Sequence, residues 1–361
     1  MSRLRYILEA VQKQAAVFGD YYLNTCWSKP FLVQIEPTLR CSMDCAFCDL
    51  ARDLTFPKES ELTKEQWLRI VADVKHWSPL VRDIYISGGE PFLRKDMMDI
   101  LDGIHALGVE TRVSTIGACL TPALCDRLLR SPVKWLKFSL HACDASRHDA
   151  IVGRPVFETA VNAIKYLISR NYRGSVGILT TVHSGNSKDL VGILDLARGL
   201  GVKSVLFRPL FGTTKAVRTF GVDASQNTDY VVKDLQTLRD QVAELKQLRR
   251  RGWPVANRNQ QLDMLVNHSS GVSAKAHKCK MMYESIYIRP NGSVEICGHM
   301  SLGTLGNVSR DSIEEVLGRR EAYAKRHDIS RHCACQGQMF VHLPLRQRAR
   351  ILFEKLRCED L

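Results

Sequence analysis

The 361-residue sequence has no apolar run of eighteen residues, no apolar leader ending in a small-residue cleavage site, no internal repeat and no low-complexity tract. These absences exclude a bilayer-crossing helix, a secretory signal, a solenoid and a disordered linker architecture. The expected setting is soluble and cytoplasmic. Acidic residues are in deficit: 51 Lys and Arg face 38 Asp and Glu, a net charge of +13. That excess suits nucleic acid, an anionic membrane face or an anionic substrate, and does not choose among them. Aromatic residues are not interleaved with basic ones along the candidate strands, as they are in single-strand binders, so nucleic acid is not expected as a partner.

What the chain does have is apolar content, 45%, and twelve cysteines. In a reduced compartment the cysteines point to metal or redox chemistry rather than to a disulfide framework. Apolar, β-branched runs recur at residues 31–37, 83–89, 110–117, 135–141, 175–183 and 204–210. Helical patterns lie between them, including "MMDILDGIHALG", "TPALCDRLLR", "FETAVNAIKYLISR" and "DLVGILDLARGLG". Alternating strands and helices imply a parallel sheet, and six units fit an α/β fold of the partial (β/α)6 barrel type, with a small α+β domain after it. The expected division is an amphipathic helical segment over 1–30, the barrel over 31–254, a cysteine-bearing domain over 255–340 and a basic helix over 341–361. A charged helix over 228–251 would close or leave the barrel. The first segment (Leu4, Ile7, Leu8, Val11, Ala15, Phe18) is expected to dock on the barrel, with peripheral contact to an anionic membrane as the alternative.

In a barrel of this type, chemistry gathers at the C-terminal ends of the strands. Just past the first strand stands "CSMDCAFC", with thiols at Cys41, Cys45 and Cys48. Three thiolates at i, i+4 and i+7 suit one face of a cuboidal cluster and leave a fourth position open; a zinc knuckle with a distant fourth ligand is the other reading of that spacing. The second strand ends in "ISGGEP", where Gly88 and Gly89 allow close backbone approach to a ligand and Glu90 offers a carboxylate to an ammonium group.

Together these residues resemble the radical S-adenosylmethionine (radical SAM) superfamily: a CxxxCxφC loop, then GGEP, within six strand–helix units over residues 31–215. The resemblance implies that Cys41, Cys45 and Cys48 bind a [4Fe–4S] cluster with one open iron, and that S-adenosylmethionine (SAM) occupies that iron. It places Gly88, Gly89 and Glu90 at the SAM amino group and Ser139 near its ribose or carboxylate; Thr115, Thr181 and Arg208 end other strands and are open between pocket lining and packing. The implied activity is reductive cleavage of SAM to a 5′-deoxyadenosyl radical that takes a hydrogen atom from a substrate. A low-potential donor such as flavodoxin or ferredoxin would supply the electron.

A second cysteine group follows at Cys279, Cys297, Cys333 and Cys335. Pro290-Asn291-Gly292 is a turn signal between two alternating apolar segments, so Cys279 and Cys297 flank an expected hairpin. The tail resembles the SPASM and twitch extensions of radical SAM enzymes, and four thiols imply one auxiliary [4Fe–4S] cluster. The final CxC replaces the more usual CxxC and leaves open whether Cys333 and Cys335 both ligate, with His299 and His332 as neighbouring substitutes. Cys26, Cys119, Cys125, Cys143 and Cys358 are read as structural or free thiols. The expected substrate is a small polar metabolite, oxidised, epimerised or decarboxylated, since few residues precede strand one in which to build a leader-binding domain. The alternatives are a peptide, then a lipid, and from another class a non-enzymatic metal- and nucleic-acid-binding protein.

Overall fold

A computed structural model describes residues 3–23, 25, 27–45, 47–48, 57–210, 230–270, 281–297, 303–319 and 321–326. Its centre is one nine-stranded sheet in the order β6-β5-β4-β3-β2-β1-β7-β8-β9. The first six strands, β1 (Leu32–Thr38), β2 (Asp83–Gly88), β3 (Glu110–Thr115), β4 (Val133–Ser139), β5 (Ser175–Val182) and β6 (Ser204–Pro209), are parallel neighbours in sequence order. The sheet does not close on itself.

Side chains alternate along each strand, and the two faces differ in kind. Val33, Ile35, Ile84, Ile86, Val113, Leu136, Phe138, Ile178, Val205 and Phe207 are buried in the main core. The crossover helices cover that face: α2 (Lys64–Trp77), α3 (Met97–Ala106), α4 (Pro122–Arg130), α6 (Phe157–Ser169) and α7 (Leu190–Gly199). Helix α2 starts at a capping box in which Thr63 and Gln66 bond each other's backbone N–H, and it buries Trp67, Ile70, Val71 and Val74. Each such side chain contributes about 1.5–3 kcal/mol of burial free energy. The intervening strand positions, among them Gln34, Tyr85, Ser114, Lys137, Ser139 and Arg208, are half-buried and line the other face.

Helix α5 (Ala145–Val152) carries too little apolar period to be seen in the sequence. Asp144 caps its start and Gly153, at φ 73°, ends it. The charged helix expected over 228–251 begins only at Leu235, as α8 (Leu235–Arg250). The Asp234 carboxylate accepts from the N–H and hydroxyl of Thr237 and sets the start there. Beyond it, Val255 bridges Val205 in parallel and Asn257 bonds both backbone groups of Phe207. The packing around β6 therefore runs on through α9 (Asn259–Ser269).

After the short α10 (Met281–Glu284), β7 (Ser285–Ile288) joins the sheet parallel to β1, and β8 (Ser293–Glu295) and β9 (Thr304–Asn307) continue it antiparallel. The expected hairpin is present, turning through Gly292 at φ 82°. Arg289 at its turn is buried against Glu36 of β1 and Glu295 of β8. Helix α11 (Ile313–Leu317) is fastened to α2, where Asp73 accepts from the Ile313 N–H at 2.6 Å. Among the described side chains of the N-terminal helix, α1 (Arg3–Tyr22), Val17 is buried with Tyr283, Ile296 and Cys297 of the segment around β7 and β8, while Leu8, Val11 and Phe18 of the face expected to dock on the barrel are exposed. Among the described residues no helix is long and apolar enough to cross a membrane.

Candidate active site

The chain leaving β1 turns at once into the three-cysteine loop. Its base is held by charge: Arg40 pairs with Glu61 at 2.9 Å, and buried Arg94 donates to the carbonyls of Pro37 and Leu62 at 3.0 Å. Its far side is held by close approach. The Asp44 N–H donates to Val152 O at 3.0 Å, and a Cβ on Gly153 would come within 2.9 Å of the Asp44 side chain. Cys41 and Cys45 lie against Met43, Ile116, Val152 and Val156, and the Cys48 N–H donates to Cys45 O at 3.0 Å.

The three thiols are half-buried. Burial pushes the Cys41 thiol up to about 11, with Glu90, Cys48 and Cys119 close enough to add to the rise. Burial, then Cys48 and Cys41, push Cys45 up to about 12. Thiolates here are unfavourable unless cations sit among them, and the irons of an iron–sulfur core are such cations, so the donor set fits that group. Among the described residues no three His, Cys, Asp or Glu side chains converge to hold a single metal ion.

Gly88 and Gly89 make a close approach within the chain itself. A Cβ on Gly89 would lie 2.1 Å from Arg40 O, and one on Gly88, at φ 109°, would lie 2.5 Å from Thr38 O. The space they leave is filled by the chain's own segment 38–40. The Gly89 N–H donates to Thr38 O at 3.0 Å and the Glu90 N–H to Arg40 O at 2.9 Å, which locks the end of β2 to the entrance of the cysteine loop. Glu90 itself is 1% exposed. Its carboxylate accepts from the Thr115 hydroxyl at 2.8 and 2.9 Å, the Ile116 N–H at 2.8 Å and the Phe92 N–H at 3.2 Å. Burial raises its pKa against the lowering effect of those bonds. Both Glu90 oxygens are thus engaged within the chain, with the Thr115 hydroxyl among their partners. Ser139 and Thr181 stand half-buried at the strand mouths.

A histidine shell around the loop has no local signal in the sequence. Phe47, between the second and third thiols, has its ring centroid 5.0 Å from both His141 and His183, and His141 stacks on His148 at 5.9 Å. All three histidines are buried. Each Nδ1 accepts a backbone N–H: His148 from His141, His141 from Thr181, His183 from Gly185. The ring proton therefore sits on Nε2 in each. Burial lowers His148 and His183 to about 4 and His141 well below its ordinary value, so the shell is neutral. Asn186 closes it, donating to His141 O and Thr181 O while accepting from the His183 N–H. Positions 47, 141, 148 and 183 are brought together only by the parallel order of β1, β4 and β5, which no local pattern encodes.

On the C-terminal side, Cys297 is buried at the end of β8 beside Val17, Tyr283 and Ile296. Cys279, Cys333, Cys335, His299 and His332 lie outside the described residues.

Comparison with known proteins follows the same division. The radical SAM superfamily profile matches residues 35–197, and the profile of the SPASM iron–sulfur cluster-binding domain matches 279–337, a span that contains all four tail cysteines. The chain is 30% identical over 171 residues to the PqqA peptide cyclase of Streptomyces rochei, covering 47% of this chain and 46% of that protein. It is 28% identical over 173 residues to the AdoMet-dependent heme synthase of Methanosarcina barkeri, covering 48% of each. The chain thus spans about half the length of the curated relatives it matches. In fold it resembles Streptococcus suis SuiB bound to S-adenosylmethionine, with a TM-score of 0.66 at 17% identity over 91% of this chain and 74% of that one. The same SuiB was also solved bound to precursor peptide SuiA, at 16% identity, a TM-score of 0.66 and coverage of 92% and 75%. The first domain implies a [4Fe–4S] cluster and SAM, and the second implies auxiliary iron–sulfur clusters. Sequence profiles and fold agree: residues 35–197 are a radical SAM superfamily domain and residues 279–337 a SPASM iron–sulfur cluster-binding domain.

Proposed function

We propose that the chain is a peptide-modifying radical SAM enzyme. The observation that carries this reading is the 30% identity to a peptide cyclase over 171 residues. The likeness in fold to SuiB, which was solved bound to precursor peptide SuiA, adds support. The small polar metabolite preferred from sequence rested on the short stretch before β1; the peptide cyclase and the peptide-bound SuiB favour the peptide instead.

When bound, the cluster and SAM supply reductive sulfonium cleavage and hydrogen-atom abstraction. Cys41, Cys45 and Cys48 would hold the cluster. Gly88, Gly89 and Glu90 fix the entrance of the loop and present the β2 turn to SAM. Phe47 and the three neutral histidines exclude water and place no charge beside the cluster, and Ser139 offers a hydroxyl at the β4 mouth. A low-potential electron donor would complete the system. Reconstituted enzyme, SAM, reductant and the precursor peptide encoded beside it should give a SAM-dependent mass change in the peptide. Turnover of a small metabolite with no change in any such peptide would refute the reading.

A further inference from the structure

Helix α1 is apolar on two faces. One holds Val17, buried against the segment around β7 and β8. The other holds Leu8, Val11, Ala15, Phe18 and Tyr22, at alternating steps of three and four residues, and it stands exposed. Every exposed large apolar side chain among the described residues lies within residues 8–32. The patch is continuous at its aromatic end, where the rings of Phe18 and Tyr22 lie 4.6 Å apart. Trp27 extends it: its ring lies against Gly19, where an added Cβ would come within 2.6 Å, and the residue is still 65% exposed. Buried Asp20 fixes that loop, accepting from the Trp27 N–H at 2.7 Å, the Ser28 N–H at 3.0 Å and the Thr25 hydroxyl at 2.8 Å. Trp27 is therefore held in the open. An apolar patch of this kind marks a surface that meets a partner.

Charge selects the partner. The first turn of α1 contains Arg3 and Arg5 and no acidic residue, against the preference of a helix N-terminus, and an anionic surface offsets that cost. The chain as a whole carries +13, so a second copy is repelled and an anionic surface attracts. Tyrosine and tryptophan at one end of the stripe suit a boundary between an apolar interior and polar headgroups.

We propose that the exposed stripe of α1, continued by Trp27, docks the protein on the surface of an anionic lipid bilayer. The helix lies in the plane of the headgroups, with its Val17 face on the protein and its exposed face in the lipid. From Leu8 to Tyr22 the stripe runs about 21 Å at 1.5 Å per residue. It lies outside the three-cysteine loop, and the docking is independent of the peptide reading above.

The test is flotation of the cluster-reconstituted, anaerobic protein with vesicles of phosphatidylglycerol and phosphatidylcholine in equal parts, set against vesicles of phosphatidylcholine alone. The wild-type chain should float with the anionic vesicles and bind the neutral ones about tenfold more weakly. The triple variant Leu8→Gln, Val11→Gln, Phe18→Gln keeps helix-forming side chains and should lose about tenfold or more in affinity for the anionic vesicles, with its circular dichroism unchanged. A second readout leaves the helix untouched: brominated phosphatidylglycerol in the vesicles should quench tryptophan emission in the wild type, and Trp27→Phe should abolish that quenching. A triple variant that floats as well as the wild type, or quenching that persists without Trp27, shows that lipid is bound elsewhere on the basic surface and overturns the proposal. A wild-type chain that floats with neither vesicle overturns it too. In that case a dimer lost in the triple variant, read by sedimentation, identifies a second copy as the occupant, and a precursor peptide bound more weakly by the triple variant identifies the peptide.

Discussion

Replacing Gly89 with alanine would place a methyl group 2.1 Å from Arg40 O and 2.7 Å from the carbonyl carbons of Leu39 and Arg40. Every atom it meets is backbone, so no side chain can swing aside. Ordinary contact begins near 3.5 Å, so segment 39–40 must retreat by about 1 Å. That retreat strains or breaks the bonds from Gly89 N–H to Thr38 O and from Glu90 N–H to Arg40 O. Overpacking costs about 1–3 kcal/mol and each lost bond about 1 kcal/mol, giving about 3–5 kcal/mol in all. Arg40 directly precedes Cys41, so the displacement passes to the first thiol, and iron per chain after reconstitution should fall with stability. Urea unfolding of the apo chain and iron analysis read the two effects. Gly199→Ala is the control: nothing lies within 4 Å of its Cβ position at the end of α7, and it should be neutral or stabilising by up to about 1 kcal/mol. A Gly89→Ala chain with wild-type midpoint and iron would refute the close approach and the locking role drawn from it.

Glu90→Gln keeps the shape but loses an anionic acceptor toward Thr115 and Ile116; it should weaken SAM affinity about tenfold while iron content stays intact, and unchanged affinity would show that the backbone alone holds the turn. Because His148 and His183 fold with pKa values of about 4 against 6.5 unfolded, their neutral burial is fully stable above pH 6.5. It costs up to about 3 kcal/mol each as pH falls toward 4, where the unfolded chain takes protons the folded one refuses. The acid limb of apo unfolding should therefore be shallower in His183→Phe, and an unchanged limb would contradict the buried neutral shell. Replacing Cys279 and Cys297 with alanine should remove about four irons while the barrel cluster survives; full iron retention would show that these thiols hold no cluster.

The strands, most crossover helices and the three-cysteine loop were legible because each is a local signal: a two-residue or 3.6-residue period, or a fixed spacing of thiols. The hairpin of β7 and β8 was legible from Pro290-Asn291-Gly292 for the same reason. The addition of β7 to the edge beside β1 was not, since strand pairing between residues 32–35 and 285–288 leaves no mark in either segment. At glycines 88 and 89 segment 38–40 makes a close approach of its own, which a linear reading cannot distinguish from that of a ligand.

The claim that the loop of Cys41, Cys45 and Cys48 carries the chemistry is tested most directly by SAM cleavage in anaerobically reconstituted protein given a strong reductant. The wild-type chain should release 5′-deoxyadenosine, and the variant with all three cysteines replaced by alanine should release none; persistent cleavage in that triple variant would contradict the account.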